Sequence, residues 1–213
     1  GMVKILADEK TDRILGVLEE IDADVVALQE ADLRFGDRKG LLNLEDLHKR
    51  ARLVPAPVTG TKEKSHGWRG NVVLVREAIV DNTHQLVLPG VEPRGAVVVD
   101  LIAKNLPIRV IATHFGLLRH SRAKQVDEVL KAADQHGRRC VLLMGDLNEW
   151  RRGRRSALAG LEPIFGPVDR FVPSYPSKFP VLALDRILCS PTYLLSHMQV
   201  HVSKLARVAS DHL

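Results

Sequence analysis

Apolar residues along this chain gather in short runs, and most runs are closed by a polar or charged residue. The fullest example covers residues 140–150, Cys-Val-Leu-Leu-Met-Gly-Asp-Leu-Asn-Glu-Trp. Five uncharged apolar residues predict a strand covered on both faces, because such a strand loses the alternation of a half-exposed one. Gly145 breaks the run, and Asp146 and Asn148 follow two residues apart. In an extended segment that spacing puts both side chains on one face. A carboxylate and a carboxamide at the mouth of a buried strand lose hydration and need partners. On this stretch alone two readings stay open, an Asx turn that ends the strand or a functional pair.

The pattern of an apolar run closed by a carboxylate or imidazole recurs at four further places. Residues 2–6 predict a first strand, and 11–21 a helix with Ile14, Leu18 and Ile21 at helical spacing and Thr11 as N-cap. Residues 24–28 predict a strand ending in Gln29-Glu30. The segment 31–67 shows little period; within it 43–52 predicts a helix, and 54–67, rich in proline and glycine, a loop. A strand at 71–75 follows Gly70. The runs 96–102 and 108–112, joined by 103–107, predict an antiparallel hairpin whose second strand ends in Thr113-His114. Residues 121–136 give the clearest helix, with Ser121 as cap, Val126, Val129, Leu130 and Ala133 as its apolar stripe and Gly137 at C′. Residues 163–180 read as a loop, 181–189 as a strand carrying Asp185, and 198–202 as a last strand. The chain closes on Ser210-Asp211-His212-Leu213. Strands outnumber helices and one pair is a hairpin, which predicts an α/β (α+β) fold: a mixed sheet or a pair of sheets with helices outside.

Composition narrows the classes. At 213 residues with 45% hydrophobic residues, the chain has material for one sizeable core, and a single domain over residues 1–213 is expected. A net charge of +5 suits an anionic ligand but falls short of a nucleic-acid footprint. Two cysteines make no disulfide framework, and both lie in predicted strands, which predicts buried free thiols in a reducing, cytoplasmic compartment. No apolar run approaches the length of a membrane span.

Collected, the strand-end groups are Glu30, His114, Asp146 with Asn148, Asp185, and Asp211 with His212. Carboxylates, a carboxamide and imidazoles without a cysteine set suit a hard cation such as Mg²⁺, with Mn²⁺ as its substitute. Two histidines can serve as general base and acid.

In this order Leu28-Gln29-Glu30, Thr113-His114, Gly145-Asp146-Leu147-Asn148, Leu184-Asp185-Arg186-Ile187 and Ser210-Asp211-His212 resemble the successive motifs of the endonuclease/exonuclease/phosphatase superfamily. Gly70-Asn71 and Leu88-Pro89 with Glu92-Pro93-Arg94-Gly95 resemble its small bacterial metal-dependent hydrolase branch. The resemblance implies a four-layer α/β/β/α sandwich of two mixed sheets with outer helices, and metal-assisted in-line hydrolysis of a phosphate ester. It implies that Glu30 binds the metal with Asp211 assisting, and that Asp146 and Asn148 orient water and phosphate. It also implies that His212, held by Asp185, acts as base or phosphate contact, and that His114 stabilises developing charge. Whether Asp146 or His212 takes the water's proton stays open. Asn71, Arg94 and Arg119 are weaker substrate-contact candidates; Arg122 and the run from Arg151 to Arg155 read mainly as solvated charge.

The pattern departs from the family at its start. The family's first strand ends in an Asn, whereas residues 3–9 contain none. This predicts either residues missing between Leu6 and Thr11 or the loss of one metal and phosphate ligand, with Asp8 or Glu9 as weaker substitutes. The family also adds a final strand beyond the position of Leu213, so a sequence incomplete at both ends is expected. The low aromatic content of 4% and mild charge favour a small-molecule, lipid or sugar phosphate ester over DNA or RNA. A non-catalytic phosphate-binding protein is the opposing class. The oligomeric state is not legible.

Overall fold

The computed structural model describes residues 2–33, 38–61, 64–134 and 140–213, with side chains described from residue 9 onward. The elements, in order, are α1 (Met2–Ile21), β1 (Val25–Leu28), α2 (Leu44–Asp46) continued by a π-helical turn (Leu47–Ala51), β2 (Val54–Pro55) and β3 (Val72–Val75). They continue with β4 (Ala78–Val87), β5 (Gly95–Ala103), β6 (Leu106–His114), α3 (Arg119–Asp134), β7 (Cys140–Asp146), α4 (Glu162–Phe165), β8 (Asp185–Ser190) and α5 (Ala206–Ala209).

Alternation along the strands builds the layers. Val73 and Val75 of β3 meet Val97, Val99 and Leu101 of β5 and Val110 and Ala112 of β6 in the core between two sheets. Val72 and Leu74, one residue out of phase, pack with Leu15 and Leu18 of α1 and with Leu47. Ala96, Val98, Ile111 and Leu143 turn the other way, onto Val126 and Val129 of α3. Two periods of two therefore feed three cores, giving helix, sheet, sheet, helix. The first sheet has order β1-β3-β2 and is antiparallel throughout; the second has order β4-β5-β6-β7-β8. Only the β6–β7 pair of that second sheet is parallel, with His114 opposite Asp146. α3 is the crossover that a parallel pair needs.

The expected hairpin is present, with Ala96 opposite Thr113. Five readings of the chain need correction. Residues 2–6 begin α1 instead of a strand: no Gly or Pro interrupts the chain before Gly16, so the helix runs through. Thr11 is accordingly interior, and its Oγ1 donates to Leu41 O at 3.1 Å. α3 starts at Arg119, which places Ser121 inside the helix, fully buried, instead of capping it. β8 begins only at Asp185. Residues 198–202 form no strand; His201 and Ser203 anchor this stretch to α1 through Glu20, at 2.7 and 2.6 Å. His136 and Gly137 lie outside the described residues. Cys140 and Cys189 are free, buried, and 3.5 Å apart at sulfur. No helix among the described residues is long and apolar enough to cross a membrane.

Candidate active site

One end of the sandwich collects the polar strand ends. β6 and β7, being parallel, both deliver their C-terminal residues there, and antiparallel β8 delivers its first, so Asp146 lies opposite both His114 and Asp185. Gly145 makes the close pairing possible: its φ is +141°, and a Cβ there would fall 1.9 Å from Thr113 O.

The contacts form a line. His114 Nε2 stands 3.4 Å from Asp146 Oδ2, and His212 Nε2 stands 4.0 Å from the same oxygen. His212 Nδ1 is 2.8 Å from Asp185 Oδ2. On the far side, Arg94 Nη1 is 2.9 Å from His114 Nδ1. Asp146 Oδ1 accepts the Asn148 backbone N–H at 2.8 Å, so the Asx turn does form, and it serves the cluster. Asn148, at φ +50°, donates its Nδ2 to Phe115 O at 2.9 Å, leaving its carbonyl oxygen and second N–H for other partners.

Electrostatics follows from this crowding. Burial, then the charge of Asp185, pushes the Asp146 carboxyl up to about 6, against the Asn148 hydrogen bond and the charges of His212 and Arg94. For His212, burial opposes the charged form, but the Asp185 hydrogen bond and the surrounding carboxylates outweigh it and hold the pKa above the ordinary value.

The structure thus joins His114, Asp146, Asn148, Asp185, His212 and Arg94. Glu30 stands at the same end, exposed, with φ +55°. Gly70 packs on its backbone, where an added Cβ would lie 3.3 Å from Glu30 Cα. Asn71, fully buried, ties the two sheets together by donating to Trp68 O and, at 3.0 Å, to Gly95 O. Asp211 is exposed, and its backbone oxygen accepts Ser177 N–H at 2.7 Å. Arg119 is engaged elsewhere, its Nε donating to Arg155 O at 3.2 Å. Among the described residues, no three His, Cys, Asp or Glu groups converge on a metal position. The donor chemistry nonetheless fits a hard cation. Glu30 offers an exposed carboxylate, Asp146 and Asp185 add two more, close enough for one charge to act on the other, and magnesium is content with one or two carboxylates, its waters and phosphate oxygens.

Two contributors come from the loop whose sequence shows no period. Ser174 Oγ donates to Asp185 Oδ2, and the Tyr175 ring lies 4.8 Å from the His212 ring, tilted by 49°. No signal in the sequence marks either residue, beyond their place in a loop rich in proline and aromatics.

Comparison with known proteins now bears on this geometry. The profile of the Endonuclease/Exonuclease/phosphatase family matches residues 6–212. The chain belongs to this family. All three activities in the family's name are hydrolyses of phosphate esters. Solved structures show the same fold at low identity. A protein of unknown function from Enterococcus faecalis is 16% identical, covering 95% of this chain and 87% of that one, with TM-score 0.69. A mannosyl-6-phosphatase from Bacteroides thetaiotaomicron is 14% identical over 87% and 78% of the chains, with TM-score 0.65. D. rerio TDP2, complexed with a single-strand DNA product, is 16% identical over 96% and 89%, also with TM-score 0.65. No curated protein matches the chain. The two sheets with outer helices agree with the expected sandwich, except that the smaller sheet is antiparallel and not mixed.

Proposed function

We propose that this family member is a divalent-metal-dependent hydrolase of a phosphate ester, acting on a small-molecule, lipid or sugar headgroup substrate. The observation that carries the reading is the line Asp185–His212–Asp146–His114–Arg94 at one end of the sandwich. A carboxyl near 6 is poised to take a proton from water at neutral pH. Asp146 therefore serves as the base, and Asn148, fixed by its turn and by Phe115, orients the water or a phosphoryl oxygen. Asp185 accepts the His212 Nδ1–H and so leaves Nε2 facing the site, the arrangement by which a carboxylate sets an imidazole's tautomer and aim. His114 donates toward developing negative charge. Glu30, with Asp211, would hold Mg²⁺ or Mn²⁺, and the ion would supply charge stabilisation on the phosphoryl oxygens.

A second reading has its own observation. Beyond Asn148, the Arg151 and Arg152 guanidiniums lie over the exposed rings of Trp150 and Phe171, at 4.6 and 4.0 Å from the ring centres. Aromatic rings interleaved with cations suit single-stranded nucleic acid. Turnover of bis-p-nitrophenyl phosphate, sugar phosphates and single-stranded DNA, each with Mg²⁺, Mn²⁺ or EDTA and at two salt concentrations, separates the readings. The main reading expects metal-dependent turnover of a small ester with weak salt dependence. Turnover confined to DNA and falling steeply with salt establishes the nuclease reading instead. No turnover in any arm overturns both.

A further inference from the structure

His114 is held between charges of opposite sign and is only 7% exposed. Arg94 Nη1 stands 2.9 Å from its Nδ1 and Asp146 Oδ2 3.4 Å from its Nε2. A guanidinium carries five N–H donors and no acceptor, and it stays charged at any working pH. In the 2.9 Å contact the imidazole nitrogen must therefore be the acceptor. Nδ1 presents its lone pair to Arg94, and the ring's proton sits on Nε2, the nitrogen 3.4 Å from Asp146 Oδ2. We propose that Arg94 is a positioning residue that locks His114 as the neutral Nε2–H tautomer. The ring then donates one hydrogen bond into the site and does not act there as a base. The use of that hydrogen bond in catalysis rests on the phosphoesterase reading; the tautomer itself does not.

The lock is mounted rigidly. Arg94 O accepts Arg69 Nη1 at 2.6 Å and Leu88 N–H at 3.2 Å, and Arg94 N–H donates to Glu92 O at 2.8 Å. Glu92 Oε1 in turn accepts the Leu117 N–H at 3.0 Å, three residues past His114. Gln125, fully buried on α3, joins the same two segments by donating to Pro89 O and accepting Gly116 N–H, each at 2.9 Å. Arginine and ring are thus carried by loops stapled to each other and to a helix.

A second proton on His114 would set two cations in contact across 2.9 Å, so the Arg94 contact has to break first. Asp146 also faces the ring, with Asp185 and His212 beyond it. Its charge favours a proton on Nε2, which reinforces the tautomer, and opposes Arg94 only over uptake of the second proton. His212 shows the converse arrangement: a carboxylate takes the Nδ1 proton, so the lone pair falls on Nε2 whenever the ring is neutral. In their neutral forms, two imidazoles facing one carboxylate thereby take opposite tautomers, each chosen by its Nδ1 partner.

Long-range proton–nitrogen correlation spectra of the ¹⁵N-labelled chain read the tautomer directly, with His114 assigned by the signal lost in His114→Gln. The expected result is a ring carrying its single proton on Nε2 at neutral pH, with Nδ1 unprotonated against Arg94. In Arg94→Met the ring's own titration moves to higher pH by about one unit or more, read on the His114 resonances and not on the kcat–pH profile, whose acid limb also follows Asp146. Arg94→Lys, which keeps the charge but not the fork, lies between. A wild-type ring found as Nδ1–H, or an Arg94→Met protein with unchanged His114 titration, overturns the proposal. A locked ring in a protein that hydrolyses no ester supports the lock and removes the phosphoesterase reading. An unlocked ring in an active enzyme does the reverse.

Discussion

Replacing Asp146 with Asn should stabilise the fold near neutral pH while removing activity. Burial, with the charge of Asp185 next, raises this carboxyl from the usual 3.8 to about 6, which at about 1.4 kcal/mol per unit is a cost of roughly 3 kcal/mol for keeping it ionised. The folded chain holds this proton more tightly than the unfolded chain. Between about pH 4 and 6 the native state therefore binds more protons, and stability falls as pH rises through that window. Below it both states are protonated and the cost is absent; above it the cost is complete. Asp146→Asn cannot titrate. Its amide oxygen can still accept the Asn148 N–H, while its new N–H₂ faces the His114 Nε2 side, an unfavourable offset that does not depend on pH. The informative quantity is therefore the swing. From pH 4 to 7 the stability difference should move by about 3 kcal/mol in favour of the variant, or roughly 6–12 °C in Tm for a chain of this size. Urea or thermal melts of both proteins across this range, in EDTA to exclude cation binding, measure it. A difference that stays flat, or that moves in favour of the wild type, refutes the reasoning, because Asp146 would then ionise as an ordinary surface carboxylate.

Two further outcomes follow from packing. Gly145→Ala places a methyl 1.9 Å from Thr113 O at φ +141°, so the β6–β7 ladder must open; melting should show a loss of about 3 kcal/mol or more, or no folded protein. Arg109 and Asp100 form a buried bidentate pair at 2.8 and 2.7 Å, with Arg109 also donating to Ala132 O on α3. Arg109→Met or Asp100→Leu alone should cost about 3–5 kcal/mol by denaturant titration, and the double variant clearly less than the sum.

Legibility in the sequence tracked burial. β7 is apolar as far as Met144 because both faces are covered, and β5 and β6 read almost as plainly, so the heart of the second sheet and three of its strand-end groups were visible. β4 was not visible. It lies at the sheet edge, carries Asp81, Asn82, Thr83, His84 and Gln85 in its middle, and has a register shift between Val80 and Asn82, so neither hydrophobicity nor alternation marks it. The converse error, a strand at residues 198–202, came from alternation without a neighbouring strand to pair with. In the site, Asp146 and Asn148 announce themselves as polar groups closing an apolar run, and Asp185 as a lone carboxylate within one. Ser174 and Tyr175 do not, since loop residues carry no period. The partner of an imidazole's Nδ1 is likewise a three-dimensional fact: Arg94 precedes His114 by twenty residues, and only the pairing of β5 with β6 brings them together.

The central claim is that the Asp185–His212–Asp146–His114 line hydrolyses a phosphate ester. Its most direct test is the rate of bis-p-nitrophenyl phosphate hydrolysis by wild type, Asp146→Asn and His212→Gln side by side, in saturating Mg²⁺ or Mn²⁺, with each protein shown to be folded by melting. The account predicts metal-dependent turnover by the wild type and losses of about 10²–10⁴-fold in each variant, the scale of a displaced proton-transfer group. Equal rates in all three proteins would contradict it, and would place whatever activity was seen outside these residues.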